Sequence, residues 1–253
     1  MLVSLKTLNG SSIQATDGDV GHVKDVYFDD EFWIIRFVVA DTHPWMPLSE
    51  QVLISPIAIK EYDADEGELN VSLEKEMVRD CPKIEEHETV SRDFEKAYFD
   101  YFGFGYYWTG PGAWGEYAYP TALIKRSMLS YDSVQEDNKK DNTQQKNHLR
   151  SANEIAHYGI DAIDGKKGYL KDFIWDTHTW SLRYLVVDTR DWLPGGKKVL
   201  ITPKQLNNLS WEDKTVSCNI DLATIEACPE YLPDQLNDDV YQQQVQEKLR
   251  ATA

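Results

Sequence analysis

Apolar and polar side chains alternate through Trp33, Ile35, Phe37 and Val39, and again 147 positions on through Trp180, Leu182, Tyr184 and Val186. A period of two puts such residues on one face of a strand, and predicts that this face is core. The other parity holds Ile34, Arg36, Val38 and Ala40, then Ser181, Arg183, Leu185 and Val187. Being half apolar, it calls for a cover, as in a small closed barrel or a sheet packed against a second copy. Short strands are predicted over Leu2–Leu8, Ile13–Ala15, Val23–Phe28, Phe32–Ala40 and Val52–Ser55, and through Leu69, Val71 and Leu73, with turns at Asn9-Gly10, Asp17-Gly18 and Asp29-Asp30-Glu31. A short helix is expected between Leu73 and Asp80. From Ser91 the period lengthens: Phe94, Tyr98 and Phe102 lie four apart, with Ser91 placed to cap and Gly103 to stop a helix, and Tyr241, Val245 and Leu249 repeat the stripe.

The chain is written twice. DGDVGHVKDVYFDDEFWIIRFVVADT, from Asp17 to Thr42, returns as DGKKGYLKDFIWDTHTWSLRYLVVDT from Asp164 to Thr189. The same offset joins Trp45 to Trp192, Pro47 to Pro194, Val52-Leu53-Ile54 to Val199-Leu200-Ile201, Pro56 to Pro203 and Cys81-Pro82 to Cys228-Pro229. This divides the chain into a first repeat with its helix over residues 1–102, a linker over 103–147 and a second repeat with its helix over 148–253. The expected fold is mainly β, two tandem small barrels each followed by an amphipathic helix, packed together as a pseudo-dimer.

Charge narrows the partners. Forty-three acidic against 26 basic residues give −17, which disfavours direct nucleic-acid binding in a chain with no segregated basic stripe. No run of apolar residues is long enough for a membrane span and no signal-peptide pattern opens the chain, so membrane insertion is not expected. Three cysteines, Cys81, Cys218 and Cys228, suit neither a disulfide framework nor metal spacing and point to a reducing, cytoplasmic setting.

Candidate chemistry is sparse. The Asp-Gly pairs are the ordinary hairpin signal. Lys24-Asp25, Lys171-Asp172 and the arginines Arg36 and Arg183 read as cross-strand ion pairs. None of the six histidines recurs between copies or has ligand spacing. The recurring Cys-Pro pairs read as buried cysteines at helix ends. No catalytic residue, cofactor site or metal site is therefore assigned. What stands out is Gly103–Pro120, GFGYYWTGPGAWGEYAYP, which carries Phe104, Tyr106, Tyr107, Trp108, Trp114, Tyr117 and Tyr119 and has no counterpart after the second repeat. Such a strip wraps the first repeat or fills the seam between the two, or else supplies aromatic anchors for a protein partner. The candidate interaction residues are Tyr106, Tyr107, Trp108, Trp114 and Tyr117, together with the loop tryptophans Trp45 and Trp192.

In each copy a DGxxG turn, a Lys-Asp pair, an acidic turn, an Arg-containing strand and an aliphatic strand ending in Pro follow one another. The order resembles the PRC-barrel family, over about Leu2–Pro82 and Leu149–Pro229, with Gly21/Gly168, Asp25/Asp172, Asp29/Asp176, Val39/Val186 and Pro56/Pro203 matching its motif. The family's fold is a small β-barrel, as in the cytoplasmic domain of the photosynthetic reaction centre H subunit and the C-terminal domain of the ribosome maturation factor RimM. The resemblance implies a non-catalytic protein-binding or assembly module, with a protein partner or self-association as a homodimer. The alternatives are a ribosome-associated or RNA-processing factor and a small-molecule-binding or enzymatic barrel.

Overall fold

The computed structural model describes residues 1–42, 50–85, 90–127, 149–189 and 196–251. Among the described residues the fold is mainly β, 41% strand against 29% helix, with two sheets, one of them a curled half-barrel. In chain order the strands are β1 (Leu2–Ser4), β2 (Ser12–Ala15), β3 (Gly18–Asp29), β4 (Ile34–Asp41), β5 (Glu50–Ile54), β6 (Ile59–Asp63), β7 (Glu68–Val71), β8 (Ile84–Glu85), β9 (Leu149–Ser151), β10 (Gly159–Ala162), β11 (Gly165–Asp176), β12 (Leu182–Asp188), β13 (Lys198–Ile201), β14 (Leu206–Ser210) and β15 (Thr215–Cys218). The helices are α1 (Leu5–Leu8), α2 (Lys75–Asp80), α3 (Arg92–Phe102), α4 (Ala122–Ser127), α5 (Ala152–Ile155), α6 (Leu222–Ala227) and α7 (Asp239–Ala251).

Two compact units form. The first holds residues 8–150 with 178–180, and the second holds 1–7, 151–177 and 181–253. The first unit's sheet runs β6-β7-β2-β3-β4-β5-β8, with β9 also paired to β3; the second runs β13-β12-β11-β10-β15-β14, with β1 also paired to β11. In both, a parallel pair ties the start of the repeat to its end, β2 with β7 and β10 with β15. The head strand of each copy thus completes the sheet built by the other copy.

Leu2–Leu8 is not one strand. Only Leu2, Val3 and Ser4 pair with β11, opposite Asp176, Trp175 and Ile174, and the chain then coils for one turn. Leu5 and Leu8, three apart and both buried, lie on one side of such a turn, which a strand would not allow. The strand expected from Phe32 also begins later. Asp29 Oδ1 accepts from the Glu31 and Phe32 amides and the Asp29 carbonyl accepts from the Trp33 amide, closing a tight turn. Trp33 leaves that turn at φ 56° and Trp180 at φ 61°, a conformation that the duplication kept at equivalent positions. Trp33 stacks on Phe28 at 5.5 Å from outside the strand alternation.

The cover predicted for the second face of the Arg strand is present in the first unit, where every residue from Ile34 to Ala40 is buried. Gly21 lets the long strand close. At φ +136°, an added Cβ would sit 2.0 Å from the Asp41 carbonyl oxygen across the β3–β4 ladder, so only glycine fits. The Asp-Gly turns do more than reverse the chain: Asp17 Oδ1 accepts from the Lys75 amide and Asp164 Oδ1 from the Leu222 amide, fixing the start of α2 and of α6.

Candidate interaction surface

The site is built in the first unit around one buried guanidinium. β4 places Arg36 beside β3, where its Nη2 lies 2.9 Å from Asp29 Oδ2 and its Nε 3.3 Å away. The other Asp29 oxygen is committed to the turn described above. One carboxylate therefore sets both the hairpin and the arginine. Arg36 is 1% exposed, and a charge so placed requires further partners.

The aromatic strip supplies them. After α3, Gly103 takes φ 66° and its amide closes on the Asp100 and Phe99 carbonyls, which ends the helix and turns the chain back. A 3-10 turn over Tyr107–Thr109 and bridges Gly112 to Gly115 and Trp114 to Tyr117 then fold the strip compactly. The Arg36 guanidinium sits 3.7 Å from the Tyr107 ring centroid and 4.9 Å from that of Trp114, and its Nη1 donates to the Ala113 carbonyl. Cation–π attraction gains most where water is excluded, as here. Trp114 in turn donates from Nε1 to the Thr179 carbonyl at 3.0 Å, and the Trp180 carbonyl accepts from the Ile35 amide at the edge of β4.

A second charged pair links strip to helix. Arg92, in the first turn of α3, meets Glu95 Oε2 at 2.7 Å, and the Tyr107 hydroxyl donates to Glu95 Oε1 at 2.6 Å. Burial raises the Glu95 carboxyl above its usual range, against the pull of Arg92 and the Tyr107 hydrogen bond. Burial and the neighbouring Glu95 push the Tyr107 phenol up as well. Helix α3 buries Glu95, Tyr98 and Phe99, a face rotated from the Phe94–Tyr98–Phe102 stripe by the strip packing on Phe99. Phe99 meets Trp108 at 5.4 Å and Tyr107 at 5.8 Å.

Above this anchored layer lies an outer one. Tyr106 and Trp108 stack at 4.7 Å and 11°, both half-buried, and Arg92 covers Trp108 at 4.2 Å. The Tyr106 hydroxyl bonds Asp100, and burial followed by that bond pushes its phenol up to about 12. Tyr117 is half-buried, while Tyr101, Tyr119 and Phe32 are exposed. Of the residues singled out in the sequence, Tyr107 (5% exposed) and Trp114 (1%) are anchors whose rings face Arg36, not a partner. Tyr106, Trp108 and Tyr117 form the outer layer, and Trp45 and Trp192 lie outside the described residues. Sequence reasoning placed Asp29 in a turn but not beside Arg36, and it missed Arg92 and Glu95. The spacing of Arg92 and Glu95 on a helix was the available signal.

The expected cross-strand ion pair forms in the first unit between Arg36 and Asp29, whereas in the second unit the equivalent arginine, Arg183, is exposed, and among the described residues no ion pair to it is seen. Among the described residues no group of three or more His, Cys, Asp or Glu side chains could hold a metal ion, and no helix is long and apolar enough to cross a membrane. No family model matches the chain, and no curated protein matches its sequence.

The recurring cysteines are buried, with Cys81 Sγ bonded to the Val78 carbonyl. Burial pushes the Cys81 and Cys218 thiols up to about 12, which keeps them protonated and unreactive at neutral pH. Native protein is expected to resist a colorimetric disulfide reagent at mildly alkaline pH, and to release three equivalents of thiol only in denaturant. Rapid labelling of Cys81 in the native state would contradict this.

Proposed function

We propose that the chain is a tandem PRC-type module that binds another protein without catalysing a reaction, and that its contact surface is the outer layer of the aromatic strip. The observation that carries the reading is the strip's two-sidedness. Tyr107 and Trp114 are locked onto Arg36, which holds Tyr106, Trp108 and Arg92 in a fixed, partly exposed array. Preordered aromatic and arginine side chains lose little entropy on docking, and these residue types dominate protein interfaces. Closed barrels of the PRC type are part of this proposal, supported by the motif positions in both copies, by the curl of one sheet and by the parallel pair that joins the start and end of each repeat.

The test is affinity capture from host lysate with intact protein, the Tyr106→Ala/Trp108→Ala variant and a surface control, Lys60→Ala, each checked for folding. A protein set retained by intact and control forms and lost by the double variant supports the reading. Equal capture by all three, or turnover of a small-molecule substrate that survives the double variant, would overturn it.

A further inference from the structure

The duplication supplies an internal control for the sheet edges. In the first unit β6 is an edge strand, and it carries exposed Lys60, Glu61 and Asp63, charges that keep an edge from pairing with another chain. The equivalent strand in the second unit is β14, where those positions hold Asn207, Asn208 and Ser210. Both strands carry the same bulge, between Ile59 and Glu61 and between Leu206 and Asn208, so local twist does not distinguish them. Inward residues differ too: Ile59 and Tyr62 are 4% and 9% exposed, whereas Leu206 and Leu209 are only half-buried. The residue that follows β14 is Trp211, 52% exposed, where the first copy has Ala64. Among the described residues only β15 pairs with β14, which leaves its outer edge open.

We propose that β14 is a self-association edge that pairs antiparallel with β14 of a second copy of this chain. The occupant follows from the sequence of the edge. Leu206-Asn207-Asn208-Leu209 reads the same in both directions, so a two-fold axis between the asparagines sets Leu206 opposite Leu209 of the partner subunit and Asn207 opposite Asn208 of the partner subunit. Leu206 and Leu209 face the same side of the sheet, opposite buried Cys218 and Val216, because the bulge takes up the extra residue between them. Leucine then meets leucine at the open end of the core, and amide meets amide on the outer side. A chain of net charge −17 favours self-contact only through a patch free of like charge, and this strand has none. The proposal concerns the second unit and goes beyond the aromatic surface; either can fail without the other.

The test is sedimentation equilibrium on the full chain across the micromolar range. A reversible dimer is expected, with the Asn207→Lys/Asn208→Lys variant dissociating at least about tenfold more readily, because lysine would face lysine. Asn207→Glu/Asn208→Glu should behave alike alone, and a one-to-one mixture of the two variants should form the heterodimer. Both positions are exposed, and an unchanged far-ultraviolet circular dichroism spectrum with a cooperative melt verifies folding. A wild-type monomer throughout the range, a dimer indifferent to the lysines, or failure of the two variants to combine would each overturn the proposal.

Discussion

Deleting residues 1–7 is expected to unfold most of the second unit while leaving the first unit's sheet in place. The deleted segment is short, but it belongs to the sheet of the second copy. Val3 and Leu5 are buried there, and each contributes about 1.5–3 kcal/mol through removal from water. Leu2 exchanges two hydrogen bonds with Asn237, through its amide to Oδ1 and from Nδ2 to its carbonyl, and the Met1 carbonyl accepts from Thr177. Ser4 Oγ donates to Asp172 Oδ2, and leaving that buried acceptor short of a partner costs about 1–3 kcal/mol. Together these losses approach the whole stability of an ordinary domain, about 5–15 kcal/mol. Hydrogen exchange should show β10, β11 and β12 losing protection and β2, β3 and β4 keeping it. Uniform protection across both sheets would refute the assignment of β1.

Ser4→Ala, which leaves β1 in place, carries a pH signature. Burial raises the Asp172 carboxyl, and Ser4 and the Phe173 amide oppose that rise. An acid whose folded value lies above its unfolded one favours the fold while protonated, and that contribution is lost as pH climbs from the unfolded value through the folded one. Without Ser4 the folded value should rise further. The Ser4→Ala protein should therefore lose more stability than the intact chain between mildly acidic and neutral pH, as read by melting temperature.

Much of this architecture was legible because it repeats. Two copies in register exposed the Arg strand, the acidic turn and the trailing helix, and the alternation at Ile35, Phe37 and Val39 marked a face that is indeed buried. The exchange of head strands was not legible. Val3 and Leu5 are apolar wherever they go, and nothing in their pattern says which sheet receives them. Trp33 misled for a related reason: its place in the alternation suggests core, but the Asp29 turn fixes it at positive φ ahead of the strand. The strip showed as aromatic and irregular, yet its target could not be read, since the arginine it seals occurs in both copies, and Asp29, which pairs that arginine, and Glu95, which holds Tyr107, come from different elements.

Arg36→Ala is expected to destabilise the first unit by about 3–5 kcal/mol, and Arg183→Ala to change stability by less than about 0.5 kcal/mol. The two arginines occupy the same position in the repeat and differ in what lies over them. Removing Arg36 strips Asp29 Oδ2 of its guanidinium, leaves the Ala113 carbonyl without its donor, and opens a void between the Tyr107 and Trp114 rings. Asp29 keeps its turn hydrogen bonds through Oδ1, so the hairpin should survive and the loss should concentrate in the strip. Arg36→Lys restores charge but not the planar fork that reaches Asp29 and Ala113 while stacking on a ring, and should recover little. Asp29→Asn/Arg36→Met keeps the turn acceptor and fills the void with an apolar chain, and should recover much of the loss, because a buried charge is most costly when its partner alone is removed. Thermal unfolding followed by tryptophan fluorescence separates the cases. Equal shifts for Arg36→Ala and Arg183→Ala would mean that the strip does not depend on the arginine beneath it. A large shift for Arg36→Ala alone, reversed in the paired variant, would mean that one buried cation, absent from the interior of the other copy, holds the contact surface in shape.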